Sequence, residues 1–218
     1  GSGTLRFEGV SPLRGSIQVN EGTVELSGGG WFQGHVGGSG MLTIEEGAVA
    51  INVDSHSFGS GSNPNRDLTL NGGSFQLDSS TYVNDVFLTA GMIENVPGAS
   101  GDLRARNGNH TVVKVNAATQ PSIISAPFSL LLGTATFDVE DGPAEHDLII
   151  SGPLTHTKNV TKDGDGRMLL AGTSGHTGDL VIELGSVVVT GSLDPGSDVR
   201  VEGGSQLEGS GQIQGDVT

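Results

Sequence analysis

Residues 164–191 read GDGRMLLAGTSGHTGDLVIELGSVVVTG, and residues 1–28 read GSGTLRFEGVSPLRGSIQVNEGTVELSG. Laid one over the other, their glycines coincide. Gly1, Gly3, Gly9, Gly15, Gly22 and Gly28 recur 163 positions later as Gly164, Gly166, Gly172, Gly178, Gly185 and Gly191. The apolar positions coincide as well: Leu5 with Met168, Phe7 with Leu170, Ile17 with Leu180, Val19 with Ile182, Val24 with Val187, and Leu26 with Val189. Glycine marks places where a chain turns or approaches itself closely, so the repeat is one of backbone geometry as well as polarity.

A shorter unit lies inside the long one. Two apolar residues at alternate positions precede a glycine, and two more follow it: Ile17, Val19, Gly22, Val24, Leu26; then Leu42, Ile44, Gly47, Val49, Ile51; then Leu68, Leu70, Gly73, Phe75, Leu77; and Leu180, Ile182, Gly185, Val187, Val189. Val86, Leu88, Gly91, Ile93 and Val199, Val201, Gly204 are partial copies, and Leu103, Ala105, Gly108, His110, Val112 reads as a degenerate one. Alternation with period two predicts short strands with one buried face, and the glycine predicts the bend between consecutive strands. No window carries a sustained helical apolar stripe, and 37 glycines among 218 residues show no three-residue period, so helix, collagen and disorder all fit poorly.

Strands that recur every twenty-odd residues, each unable to bury its apolar face alone, predict an all-β solenoid, a right-handed parallel β-helix. A β-sandwich is the competitor, but the units lack the Asn-Gly and Asp-Gly hairpin signals of antiparallel meanders. We read residues 1–218 as one continuous solenoid: repeat copies at 1–28 and 164–191, more irregular coils over 29–133, a pre-repeat segment over 134–163, and terminal coils over 192–218. The chain opens and stops inside a repeat, which leads us to expect a segment of a longer protein or assembly.

The run Lys162, Asp163, Gly164, Asp165, Gly166, Arg167, Met168, Leu169, Leu170, Ala171, Gly172, Thr173 resembles the K-x-G-x-G-x-L-x-L-x-G opening of the autotransporter-associated β-strand repeat. Gly178, Leu180, Ile182, Gly185, Val187 and Val189 look like its second half, and Gly203 to Val217 resembles a stretch found in the same passenger regions. The resemblance implies a parallel β-helix of the pertactin-like class. It also implies a bacterial cell-surface or secreted location, with outer-membrane anchoring or export supplied by other parts. Passengers of this kind are similar in having few cysteines, and this chain has none.

Charge narrows the partners. Ten basic against 25 acidic residues give a net charge of -15, which repels nucleic acid and anionic membrane surfaces. Arg104, Arg106 and Lys114 form the one basic cluster, and a solvated strand face explains it as well as an anion site does. Without cysteine there is no thiol nucleophile and no Cys zinc site, and no cofactor motif is present. Asp138, Glu140, Asp141, Glu145 and Asp147, with His146 among them, can furnish a cation site or an acid/base pair. The alternation of Asp138 and Glu140 with Phe137 and Val139 is equally what an exposed strand face produces. Asp163 and Asp165 read as turn residues. The six histidines, His176 included, are scattered among turns and are expected in solvent.

No catalytic residue is assigned. The weak ligand-binding candidates are the aromatics Trp31, Phe32 and Tyr82, each able to serve as a stacking platform for a glycan, against the reading of a side chain that fills the interior. Phe7, Phe75 and Phe137 fall on the buried phase. The resemblance to autotransporter passengers implies a non-enzymatic structural or adhesive surface module, with itself as partner in an end-to-end stack or with surface glycans or proteins as ligands. The alternative is a β-helical polysaccharide lyase or glycoside hydrolase, which needs clustered acidic or basic residues on adjacent coils. A calcium-dependent module is the third class.

Overall fold

The computed structural model describes residues 2–8, 15–28, 40–55, 66–108, 110–155 and 157–218. Among these residues the regular structure is strand alone, laid out as three sheets of ten, nine and seven strands. The ladders within each sheet are parallel. A full coil runs from the ten-stranded sheet to the seven-stranded and then to the nine-stranded, as in Met92–Asn95, Leu103–Ala105 and His110–Val115, before Ser122–Ile124 begins the next. Parallel strands need a crossover between them, and here the crossover is the remainder of the coil. The solenoid expectation is met.

The glycine-centred unit spans one corner of this coil. Ile17–Val19 lies in the nine-stranded sheet and Thr23–Leu26 in the ten-stranded, with Gly22 between them at φ 78°. Residues on the inner phase then stack rung upon rung. In the ten-stranded sheet Val24, Ala50, Phe75, Ile93, Ile124, Ile150, Leu170 and Val189 are register partners in succession. All are buried. Each such side chain withdrawn from water contributes about 2 kcal/mol, so the ladder is the main cohesive element between coils. Phe128 and Phe137 meet edge to face across the interior, ring centroids 6.4 Å apart, and tie the seven-stranded sheet to the nine-stranded.

Three readings need correction. Leu103, Ala105, Gly108, His110, Val112 is not a variant of the repeat unit, because Leu103–Ala105 belongs to the seven-stranded sheet and Gly108 bends a different corner. The phase changes across that corner: Thr111, Val113 and Val115 point inward and His110 is exposed. Leu5, aligned with the buried Met168, is 56 % exposed because among the described residues Val24 alone flanks it in the ladder, whereas Met168 lies between Leu148 and Val187. Phe75 and Phe137 are core, but Phe7 is only partly buried against it.

Candidate functional site

Tyr82, the one described residue among the three aromatic candidates, stands on the outer face of the seven-stranded sheet; Trp31 and Phe32 lie outside the described residues. Its register partner on the next rung is Arg104, followed by Ser129 and Thr155. Period-two alternation produces this ladder: Thr81, Leu103, Phe128 and Leu154 turn inward, which leaves their neighbours outside. The Arg104 guanidinium sits 5.5 Å from the Tyr82 ring centroid and donates through Nη1 to the phenol oxygen at 3.2 Å. Through Nε it donates to Asp102 Oδ2 at 2.8 Å, and Ser129 Oγ donates to the same oxygen at 3.2 Å.

This is a polar ladder with an aromatic end, in which the cation covers one face of the ring. Burial opposes the charge on Asp102, but Arg104, Ser80 and Ser129 outweigh it and hold the carboxyl below its ordinary range. A depressed carboxyl pKa stabilises the fold above the unfolded pKa, and that stability is lost as pH falls through the folded value. Arg104→Ala is therefore expected to cost about 1 kcal/mol at pH 7 and less once Asp102 is protonated in both proteins, when only the contacts with Tyr82 remain. Urea midpoints at pH 7 and pH 2 check this; an equal loss at both would contradict the assignment.

The basic cluster dissolves. Lys114 lies on a different sheet from Arg104, and its Nζ bridges Asp138 Oδ2 and Glu140 Oε1, each at 2.9 Å. The two carboxylates and the loop carboxylates do not converge. Asp147 is buried as a loop clasp, its Oδ1 accepting Gly142 N–H at 2.9 Å and its Oδ2 accepting Arg167 N–H at 2.8 Å. Asp141 and Glu145 are exposed on the intervening loop. Among the described residues no group of three His, Cys, Asp or Glu side chains is placed to hold a metal ion.

Two of the buried polar residues, His176 and Lys162, carry titratable side chains held by backbone carbonyls. His176 is not solvated but 2 % exposed, with Nδ1 3.0 Å from Ser197 Oγ and Nε2 3.1 Å from the Lys158 carbonyl. Lys162 is fully buried in an apolar column, between Phe137 on one rung and Ile182 on the next. Its ammonium curls into the corner and donates to the carbonyls of Asp163, Gly164 and Leu184 at 2.9, 2.6 and 3.1 Å. Burial pushes it down from 10.5 to about 8, against the pull of Asp163, Asp138, Asp147 and Asp165. Asp165 lies in this turn, as expected, whereas Asp163 is the last residue of the strand Val160–Asp163. The alternation of Val160 and Lys162 was the signal that this lysine points inward.

Two segments of the chain, residues 1–26 and 160–189, match the family model of the passenger-associated-transport-repeat. They cover all but the last two residues of each long repeat copy and, in the second, the buried lysine. No curated protein and no solved structure matches the chain.

Proposed function

We propose, from its passenger-like repeats at residues 1–26 and 160–189 and its parallel β-solenoid, that this chain works as a non-enzymatic structural or adhesive module, a rigid β-helical stalk outside the cell. A passenger repeat goes with a secreted or surface-exposed bacterial protein. The observation that carries the reading is the fate of the ionisable side chains. Asp147, Lys162 and the Lys114, Asp138, Glu140 group are spent on clasping loops and joining rungs. A stalk needs such groups; a lyase or hydrolase needs them facing a substrate.

Stacking is the means of extension we infer. At the two ends of the described stack, Thr4–Phe7 and Gln206–Gly209 each pair on one side only. A further coil, from the same chain or from another copy, adds to such an edge by parallel strand pairing. Electron microscopy of the purified 218-residue chain at rising concentration, with light scattering, tests this. Rods that lengthen in register are expected; a monomer at every concentration that also binds no cell surface would overturn the reading.

A further inference from the structure

The corner between the nine- and ten-stranded sheets is notched. Three residues, 46–48, link Gly40–Glu45 to Val49–Asn52, whereas the next two corners are closed by two residues each: Gly72 and Gly73, then Ala90 and Gly91. Residues 116–121 make the following corner much longer. Two short turns between two longer ones leave a cavity of ≈ 460 Å³, floored by Asn71, Gly72, Thr89 and Ala90 and walled by Glu46 on one side and Thr119 and Gln120 on the other. Ala90 takes φ 52°, the one non-glycine in the left-handed region among the described residues. A residue held there costs about 1 to 2 kcal/mol and persists where its surroundings over-determine it.

The polar atoms of the notch are pre-set from beneath. Asn71 Nδ2 donates to Glu45 Oε2 at 3.2 Å, and Gln18 Nε2 donates to Glu45 Oε1 at 2.8 Å. Asn116 Nδ2 donates to Thr89 Oγ1 at 2.9 Å. These bonds orient the Asn71 amide and commit the Thr89 oxygen as acceptor, so its hydroxyl proton is available to a ligand. Glu46, Thr119 and Gln120 are exposed on the walls. The lining thus offers amide, hydroxyl and carboxylate groups, both donors and acceptors, with no cation and no aromatic ring.

We propose that this notch is a binding site for a neutral, hydroxyl-rich ligand, a short stretch of uncharged glycan laid along two rungs of the corner. Mixed donors and acceptors match sugar hydroxyls, which both give and accept; a phosphate or a uronic acid would meet Glu46 and no counter-charge. At the inter-strand spacing the two floor rungs lie about 5 Å apart and the walls on the rungs either side about 14 Å apart, enough for an extended segment. The site adds a ligand to the module and does not depend on end-to-end stacking.

The test is a printed array of neutral and anionic oligosaccharides, followed by titration of the best neutral binder into the ¹⁵N-labelled chain. Amide shifts confined to Asn71, Gly72, Thr89, Ala90, Thr119 and Gln120 are expected. Glu46→Ala combined with Gln120→Ala, both on the walls, should weaken binding about tenfold or more while the remaining spectrum stays that of the folded protein. Gly175→Ala, beside the seven-stranded sheet and in ordinary contact there, should bind as the parent does. No saturable neutral binder, binding restricted to anionic sugars, or shifts centred on Tyr82 and Arg104 would each overturn the proposal. None of these results bears on whether the rods lengthen.

Discussion

Gly185→Val leaves no soluble, folded protein. Gly185 turns the corner between Leu180–Ile182 and Ser186–Val189 at φ 68°, a conformation that a β-branched residue all but refuses. Space is lacking as well: a Cβ there would lie 2.5 Å from the carbonyl oxygens of both Gly164 and Gly166 on the rung below. Neither oxygen can retreat, because the ladder through Arg167 and Ser186 fixes the rung spacing. Strain and overlap together cost on the order of 4 kcal/mol or more, a large part of what a domain has to lose. Gly175→Ala is the control. Its Cβ would meet only Thr155 Cγ2 at 3.5 Å, ordinary contact, and that variant should be obtained folded in near-parental yield. Soluble expression and circular dichroism decide the matter, and a stable Gly185→Val protein would contradict the corner assigned to it.

Raising the pH from 8 to 10.5 stabilises the fold through Lys162. Its folded pKa of about 8 lies below the ordinary 10.5, so in that window the unfolded chain binds more protons and stability rises with pH. Below pH 8 both states hold the proton and the full penalty of the buried charge is present; above 10.5 nothing further is gained. The shift corresponds to about 3 kcal/mol across the window. Lys114 moves the opposite way: its bonds to Asp138 and Glu140 raise its pKa, so the stability it lends is lost only above 10.5. Lys162→Met keeps the stem in the apolar column and removes the titration. Denaturant midpoints measured from pH 7 to 10.5 should climb for the parent and lie flat for this variant. Equal slopes would mean that the ammonium is not where the three carbonyls hold it.

Much of the frame was legible in the sequence because two physical signals recur. Alternation identified most inner residues of both large sheets, and the glycines of the repeat unit marked the corner between them. The second copy slips by one, since Ala50 and Asn52 are buried and Val49 and Ile51 lie on the outer phase, the turn at 46–48 placing Ala50 rather than Val49 beside Val24. The seven-stranded sheet was not legible. Its strands are as short as Leu154–Thr155 and Thr173–Ser174, too brief to show a period, and Gly108 imitates a repeat corner at the wrong edge. Polar residues inside the solenoid escaped for another reason. The carbonyls that satisfy His176 and Lys162, on their own and neighbouring turns, leave no trace in side-chain patterning; for Lys162 the alternation with Val160 marked the inner phase but not what would receive the charge.

The candidate sites divide along the same line. That Asp138 and Glu140 lie opposite Phe137 and Val139 was readable as an exposed strand face, and Lys114 completes it from the rung before. The partner of Tyr82 was not, since Arg104 comes beside it only through the coil between them. The notch at Ala90 depends on turn lengths at four successive corners, a relation between coils that one coil does not carry.

Register is the central claim, and spin-label distances test it most directly in a chain that has no cysteine of its own. Ser74, Met92, Ile123, Ile149, Leu169, Val188 and Glu208 are successive partners on the outer phase of the ten-stranded sheet. Labels at Ser74→Cys and Leu169→Cys should lie about 19 Å apart, and labels at Ser74→Cys and Glu208→Cys about 29 Å apart, at roughly 4.8 Å per rung. A second distance equal to or shorter than the first, as a sheet folded back on itself gives, would contradict the stacked solenoid and the account built on it.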